Sequence, residues 1–192
     1  MIAINNVSFA YKDKTVINDL TLKINKGQHI CLFGESGSGK TTLLRLIMGL
    51  EKPSGGSITA DKAVFSAVFQ EDRLLPFKTV LENLTLVGAD REEALYHLNA
   101  LNIGQAANKY PRKLSGGMSR RAAIARALCA DYNVLVLDEP FSGLDRENTE
   151  NAARHILSSV KDRTLIAVTH SHEESRLLNA ETVGIGRQKI NP

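Results

Sequence analysis

Gly34-Glu35-Ser36-Gly37-Ser38-Gly39-Lys40-Thr41 fits the pattern G-x-x-x-x-G-K-S/T. In that spacing, glycines let successive backbone N–H groups turn inward around an anion, where side chains would block the approach. Lys40 is placed to reach the β- and γ-phosphates of a nucleotide, and the Thr41 hydroxyl to ligate Mg²⁺. A second reactive pair stands at Val134-Leu135-Val136-Leu137-Asp138-Glu139, where an apolar run ends in two carboxylates. Ligands of open α/β sheets bind at the C-terminal edge of the strands. There Asp138 would hold Mg²⁺, directly or through water, and Glu139 would act as general base on an attacking water.

These residues need strands and helices to hold them. His29–Phe33 reads as a short strand feeding the glycine-rich loop. Leu43, Leu44, Ile47, Met48 and Leu50 fall at helical spacing after it, so a helix aims its positive end at the phosphates. Ile2–Ala10 and Val16–Ile24 are expected strands, with a kink at Asn18-Asp19. Pro53-Ser54-Gly55-Gly56 breaks the chain before short strands at Ile58–Ala60 and Val64–Phe69. From Glu71 to Lys113 leucines recur at helical spacing over Thr79–Val87 and Glu92–Leu101, and Pro111 ends the stretch, which predicts a small, mainly helical lobe. The remainder predicts a helix over Ser115–Leu128, a strand over Asn133–Leu137 and a helix over Glu147–Val160. A strand at Thr164–Thr169, a helix at His172–Leu178 and a strand at Thr182–Ile185 complete the pattern. Strands alternating with helices imply an α/β architecture around a largely parallel sheet.

Composition narrows the function classes. The 192 residues are 43% hydrophobic and 23% charged, as in a globular protein, and suit a single domain over 1–192. The net charge of +3, from scattered Lys and Arg, does not point to nucleic acid. No stretch reaches a membrane-spanning length of about 18 apolar residues, and the N-terminus does not read as a signal peptide. Cys31 and Cys129 form no CxxC pair. They read as small buried hydrophobes that suit a reducing compartment. His29, His97, His155 and His172 match no motif and are expected to be structural or solvent-facing.

Leu114-Ser115-Gly116-Gly117 lies shortly before the acidic strand. Phosphate loop, LSGG and acidic strand, in that order, resemble the nucleotide-binding domain of ATP-binding cassette (ABC) proteins over essentially the whole chain. The resemblance implies a P-loop NTPase fold with a largely parallel core sheet and an N-terminal antiparallel β subdomain. Residues 1–70 and 114–192 would form the nucleotide-binding core and 71–113 an inserted helical subdomain. It also implies two cassettes facing head to tail, each ATP lying between the phosphate loop of one and the LSGG of the other. A helix start with a hydroxyl and two glycines, Ser115, Gly116 and Gly117, offers donors to a γ-phosphate.

Further positions match family motifs one at a time. Tyr11 is similar to the aromatic that stacks on adenine, with Val16 beside the base. Thr42 resembles the α-phosphate contact. Gln70 resembles the glutamine that senses Mg²⁺ and the attacking water, and His170 the switch histidine that bonds the γ-phosphate. Ser142-Gly143-Leu144-Asp145 resembles the loop that crosses the dimer interface, although Asp145 is equally suited to cap the next helix. The chain departs from the pattern after LSGG, where Met118 stands in place of the usual glutamine and is followed by Ser119, Arg120 and Arg121.

The stretch Phe69–Asn83 is similar to importers of the nitrate, sulfonate and taurine type. Leu74, Leu75 and Phe77, beside Glu71 and Glu82, would form an apolar groove for a helix of a membrane subunit, or else an ordinary lobe core. The implied activity is ATP hydrolysis with ATP and Mg²⁺. The implied partners are a second cassette, integral membrane permease subunits and, indirectly, a substrate-binding protein. The implied place is the cytoplasmic face of the cell membrane. The alternatives are a soluble ABC-type ATPase and a nucleotide-binding interaction module without turnover.

Overall fold

The computed structural model describes residues 1–12 and 14–185, so the last stretch assigned to the nucleotide-binding core, 186–192, lies outside the described residues. The N-terminal strands form an antiparallel sheet in which β1 (Ile2–Tyr11) lies between β2 (Lys14–Ile24) and β4 (Gly55–Ala60). The kink expected at Asn18-Asp19 is a left-handed residue at Asp19 (φ 50°), matched by another at Asn6 (φ 48°). The Asn6 amide donates to Asp19 Oδ1 at 2.8 Å, which locks the irregularity across the two strands.

The chain break at Pro53–Gly56 is shorter than its composition suggests, because Gly55 and Gly56 already belong to β4. Gly56 has a φ of 77°, and a Cβ there would run into the carbonyls of Asn5 and Asn6. Glycine at this position is what lets β4 lie against the irregular part of β1.

The second sheet is parallel throughout, in the order β5-β6-β7-β3-β8, built from β3 (His29–Phe33), β5 (Phe65–Val68), β6 (Val134–Asp138), β7 (Thr164–Val168) and β8 (Glu181–Gly184). Successive residues of a strand face opposite sides. Val134 and Val136 accordingly pack with α1 (Lys40–Ile47) and the antiparallel sheet. Leu135 and Leu137 pack with α2 (Val80–Thr85), α3 (Arg91–Ala100), α4 (Gly116–Cys129) and α5 (Arg146–Val160). Burial on both faces is why β6 and β7 read as unbroken apolar runs. The last helix, α6 (His172–Leu177), precedes β8.

Between residues 71 and 113 lie α2, α3 and two short 3₁₀ turns, Gly104–Ala106 and Pro111–Lys113. The start of α2 is specified locally by a capping box. Thr79 Oγ1 accepts the Glu82 amide at 3.2 Å, and Glu82 Oε2 accepts the Thr79 amide at 2.7 Å. The buried Asn83 then gathers the preceding loop, its amide donating to the carbonyls of Leu75, Lys78 and Thr79. Among the described residues no helix is long and apolar enough to cross a membrane.

Both cysteines are buried free thiols, and burial pushes the Cys129 thiol up to about 12. The histidines take distinct structural places. His172 stacks on Phe33 with ring centroids 4.1 Å apart, and His29 Nδ1 lies 3.3 Å from the Leu178 carbonyl. His97 of α3 and His155 of α5 form a buried pair, Nδ1 to Nε2 at 2.8 Å, with the Tyr96 ring edge-on to both.

Such a pair holds a single proton between its facing nitrogens. Burial, then the neighbouring His155, lowers His97 to about 4, and burial lowers His155. The fold therefore favours the neutral rings. Their contribution is complete above the ordinary histidine value of about 6.5 and is lost as pH falls toward the folded-state value. Stability by chemical denaturation should drop between pH 7.5 and pH 5 by on the order of 2 kcal/mol, and a His97→Phe variant should lose most of that difference. Equal pH dependence in the variant would contradict this origin.

Candidate nucleotide site

The loop after β3 is shaped by its glycines. A Cβ at Gly34 would strike the carbonyl of Ile185, the residue after β8, and one at Gly39 would meet Val16 Cγ1 at 2.9 Å. Gly37 and Gly39 both adopt positive φ, 78° and 94°. Gly39 is the residue before α1 and supplies no side-chain cap, so the first N–H groups of that helix remain directed at whatever enters the loop. Lys40 is only 6% exposed, and its ammonium donates to the Gly34 and Glu35 carbonyls, each at 2.8 Å. The lysine is thus held inside the loop formed by Ser36, Gly37 and Ser38.

At the same sheet edge, the buried Asp138 lies close to the Thr41 hydroxyl. Burial raises the Asp138 carboxyl, while the Thr41 hydroxyl and the Arg120 and Lys40 charges oppose that shift. A hydroxyl and a carboxylate brought together next to a phosphate loop form a hard oxygen donor set, which fits Mg²⁺. Glu139 follows with φ of 49°, its amide bonded to the Val168 carbonyl at 2.9 Å. That turn swings the side chain out of the strand, where Oε1 lies 2.7 Å from His170 Nε2. Thr169, just before His170, is hydrogen-bonded to Glu174 of α6, which anchors the strand end carrying the histidine.

A cavity of about 360 Å³ brings most of these groups together. Lys40, Thr41 and Thr42 line its phosphate end, Tyr11 and Val16 another side, and Gln70, Glu139 and His170 the remainder. Gln70 stands two residues beyond the end of β5 rather than at the strand's own end. Tyr11 is 45% exposed, with its ring edge-on to Phe9 at 4.7 Å, which leaves ring surface available for stacking.

Sequence reasoning missed one lining residue, Lys14, which pairs with Tyr11 across the β1–β2 turn. The only signal for it was a cation three residues after the aromatic. Sequence reasoning also gave no role to Arg120, which is buried.

Ser115, Gly116, Gly117 and Asp145 do not line this cavity. Of these, Gly117 lies against the loop that precedes Asp145. A Cβ on Gly117 would lie 3.3 Å from the Gly143 carbonyl and 3.4 Å from Leu144, so the LSGG turn rests on the Ser142–Asp145 loop. The Ser115 hydroxyl oxygen caps α4 by accepting the Met118 amide at 3.3 Å. Asp145 caps α5, accepting the Asn148 amide at 2.8 Å, and these bonds hold its carboxyl below the usual range. The capping role of Asp145 is therefore present within the single chain.

Comparison with known proteins gives the family and the fold. The family described as ABC transporter matches residues 17–142. The aliphatic sulfonates import ATP-binding protein SsuB 1 of Paracoccus denitrificans (strain Pd 1222) is 42% identical over 186 residues, which is 92% of this chain and 76% of that protein. A dimeric bacterial ABC transporter cassette superposes with a TM-score of 0.87 at 29% identity, covering 97% of this chain and 94% of that one. A dimeric post-hydrolysis state of an ATP-binding cassette bound to ADP and Pi gives 0.86 at 28% identity, with the same coverages of 97% and 94%. The order of motifs, the parallel sheet that carries them and these likenesses agree, and the chain belongs to the ABC transporter family as one of its ATP-hydrolysing cassettes.

Proposed function

We propose that this chain is the ATPase subunit of a bacterial importer and works as a head-to-tail pair of cassettes beneath integral membrane permease subunits. The observation that carries this reading is the division of the motifs. The phosphate loop, Gln70, Glu139 and His170 share one cavity, while Ser115–Gly117 lie outside it against the Ser142–Asp145 loop. A phosphate-binding helix start that does not reach its own chain's cavity suits a nucleotide held by a second copy. Residues 71–113 then form the helical subdomain and the rest the nucleotide-binding core.

In the hydrolytic step Tyr11 stacks on the base, with Val16 beside it. Thr42 contacts the α-phosphate, and the loop amides with Lys40 hold the β- and γ-phosphates. Thr41 and Asp138, with Gln70, would hold Mg²⁺, which when bound supplies positive charge against the phosphate oxygens. Glu139 takes the proton of a water lined up with the γ-phosphate, and His170 orients that water and bonds the phosphate. Ser115 and Gly117 of the partner cassette donate to the same γ-phosphate. Hydrolysis removes the group that bridges the two copies and lets them reopen.

The likeness to a protein named for sulfonate import supports the importer assignment. So does the surface after Gln70. Leu74 packs against the core, but Leu75 and Phe77 are exposed, Phe77 to 89%. Glu71 and Glu82 stand nearby in sequence, Glu82 committed to the α2 cap and to Lys78 at 3.5 Å. An apolar pair on a charged surface suits a membrane subunit's coupling helix. Permease subunits and a substrate-binding protein would select the solute, and the chain would sit peripherally on the cytoplasmic face.

The test is capture of membrane partners by tagged Glu139→Gln protein from detergent-solubilised native membranes with ATP and Mg²⁺. A polytopic membrane protein is expected, and adding Phe77→Glu should abolish its capture while nucleotide binding persists. Recovery of soluble partners alone would favour a soluble ABC-type ATPase.

A further inference from the structure

Residues 69–73, which carry Gln70 into the nucleotide cavity, belong to no strand or helix. Their carbonyls are held by two arginines of α4. Arg120, 5% exposed, donates from Nη1 to the Phe69 carbonyl and from Nη2 to the Gln70 carbonyl, both at 2.6 Å. Arg126 donates to the Asp72 carbonyl at 3.0 Å and to the Arg73 carbonyl at 2.7 Å. The Asp72 carboxylate lies 3.3 Å from Arg120 Nη1 and balances its charge. Arg73 closes the turn by stacking over the Phe69 ring, 4.2 Å from its centroid.

A planar guanidinium presents its two Nη donors in a rigid fork, whereas the donors of an ammonium rotate about a flexible stem and do not fix the spacing of two carbonyls in one plane. The backbone of Gln70, which lies outside any strand, is therefore fixed by α4, the helix capped by Ser115 and opened by Gly116 and Gly117. Arg120 itself does not line the cavity, so it can reach the site only through the segment it holds.

We propose that Arg120 is a positioning residue for hydrolysis: by gripping the Phe69 and Gln70 carbonyls it aims the Gln70 side chain into the cavity and ties it to the LSGG helix. Arg126 holds the far end of the same segment. The inference rests on the role given above to Gln70. Its consequence is that any displacement of α4 at a cassette–cassette contact is carried to Gln70 by these two bonds, with no intervening loop to absorb it.

The test compares Arg120→Lys, Arg120→Gln, Gln70→Ala and the Arg120→Gln/Gln70→Ala double variant in the full chain, alone and in any complex that co-purifies with it. Arg120→Gln should lower kcat about tenfold and leave the KM for ATP within about twofold, because misplacement affects the hydrolytic step more than binding. Arg120→Lys should fail to rescue kcat despite keeping the charge. In the double variant the two losses should not multiply, since both act through one side chain. Independently of turnover, backbone hydrogen exchange over residues 69–73 should accelerate about tenfold or more in Arg120→Lys while α4 stays protected.

Unchanged exchange there, or losses that multiply in the double variant, would overturn the proposal and leave the Gln70 role standing. A Gln70→Ala variant with normal kcat would instead remove the Gln70 role, and the positioning role with it.

Discussion

Glu139→Gln is expected to bind ATP normally and to lose about 10²–10⁴ in turnover, accumulating as a closed pair of cassettes. The amide has the shape of the carboxylate and can still bond His170 Nε2, now 2.7 Å from Oε1, but it cannot accept a proton from water. Its backbone setting should survive. The φ of 49° at Glu139 and the amide bond to Val168 at 2.9 Å belong to the main chain and do not depend on the acid. Phosphate release measures the first effect, and light scattering with ATP and Mg²⁺ measures the second. Normal turnover in this variant would place the general base elsewhere at the sheet edge.

Lys40→Ala should weaken nucleotide affinity by roughly 10- to 100-fold, the range for losing charge-assisted hydrogen bonds of about 1.5–3 kcal/mol. The Lys40 ammonium now donates to the Gly34 and Glu35 carbonyls, and an arriving triphosphate would draw it to the β- and γ-oxygens. Truncation also leaves those two carbonyls without their donor, so the empty loop should become less ordered. Titration calorimetry gives the affinity. A thermal shift offers a second reading, because ATP should raise Tm in the parent chain and raise it much less in the variant at equal concentration. An unchanged affinity would contradict the role assigned to the loop.

These two variants and the Arg120 series probe separable functions: Lys40 binding, Glu139 chemistry, and Arg120 the placement of Gln70. A loss of binding in Glu139→Gln, or of kcat alone in Lys40→Ala, would exchange the assignments. The histidine pair between α3 and α5 stands outside all three, and its titration should register in stability without a specific effect on the hydrolytic step.

Much of the site can be read along the chain, for a local reason. A phosphate loop works through consecutive backbone amides, a strand-end acid through the residue after an apolar run, and a helix start through its own capping side chain. Each fits within a dozen residues, so type and spacing suffice. Gly34–Thr41, Asp138-Glu139 and the helix start at Ser115 are all of this kind, as is the Thr79–Glu82 cap. Even the kink at Asn18-Asp19 is legible, because asparagine and aspartate tolerate the left-handed conformation.

Only the tertiary structure decided which distant groups face one another. The strand order β5-β6-β7-β3-β8 puts Glu139 beside His170 and both at the edge fed by Lys40, although these residues are far apart in the chain. Gly56 looked like a chain break, yet it is required because the carbonyls of Asn5 and Asn6 occupy the space of a Cβ. Arg120 carries no signal in the sequence, yet the fold brings the Phe69 and Gln70 carbonyls within reach of its guanidinium. His97 and His155 had no motif because their partnership spans two helices. The chain by itself determined its motifs, its alternation of strands and helices, and its family, since periodicity and hydrogen-bonding capacity are properties of neighbouring residues. Packing decided the pairings, since a long polar side chain can satisfy many partners and the fold alone brings one of them within 3 Å.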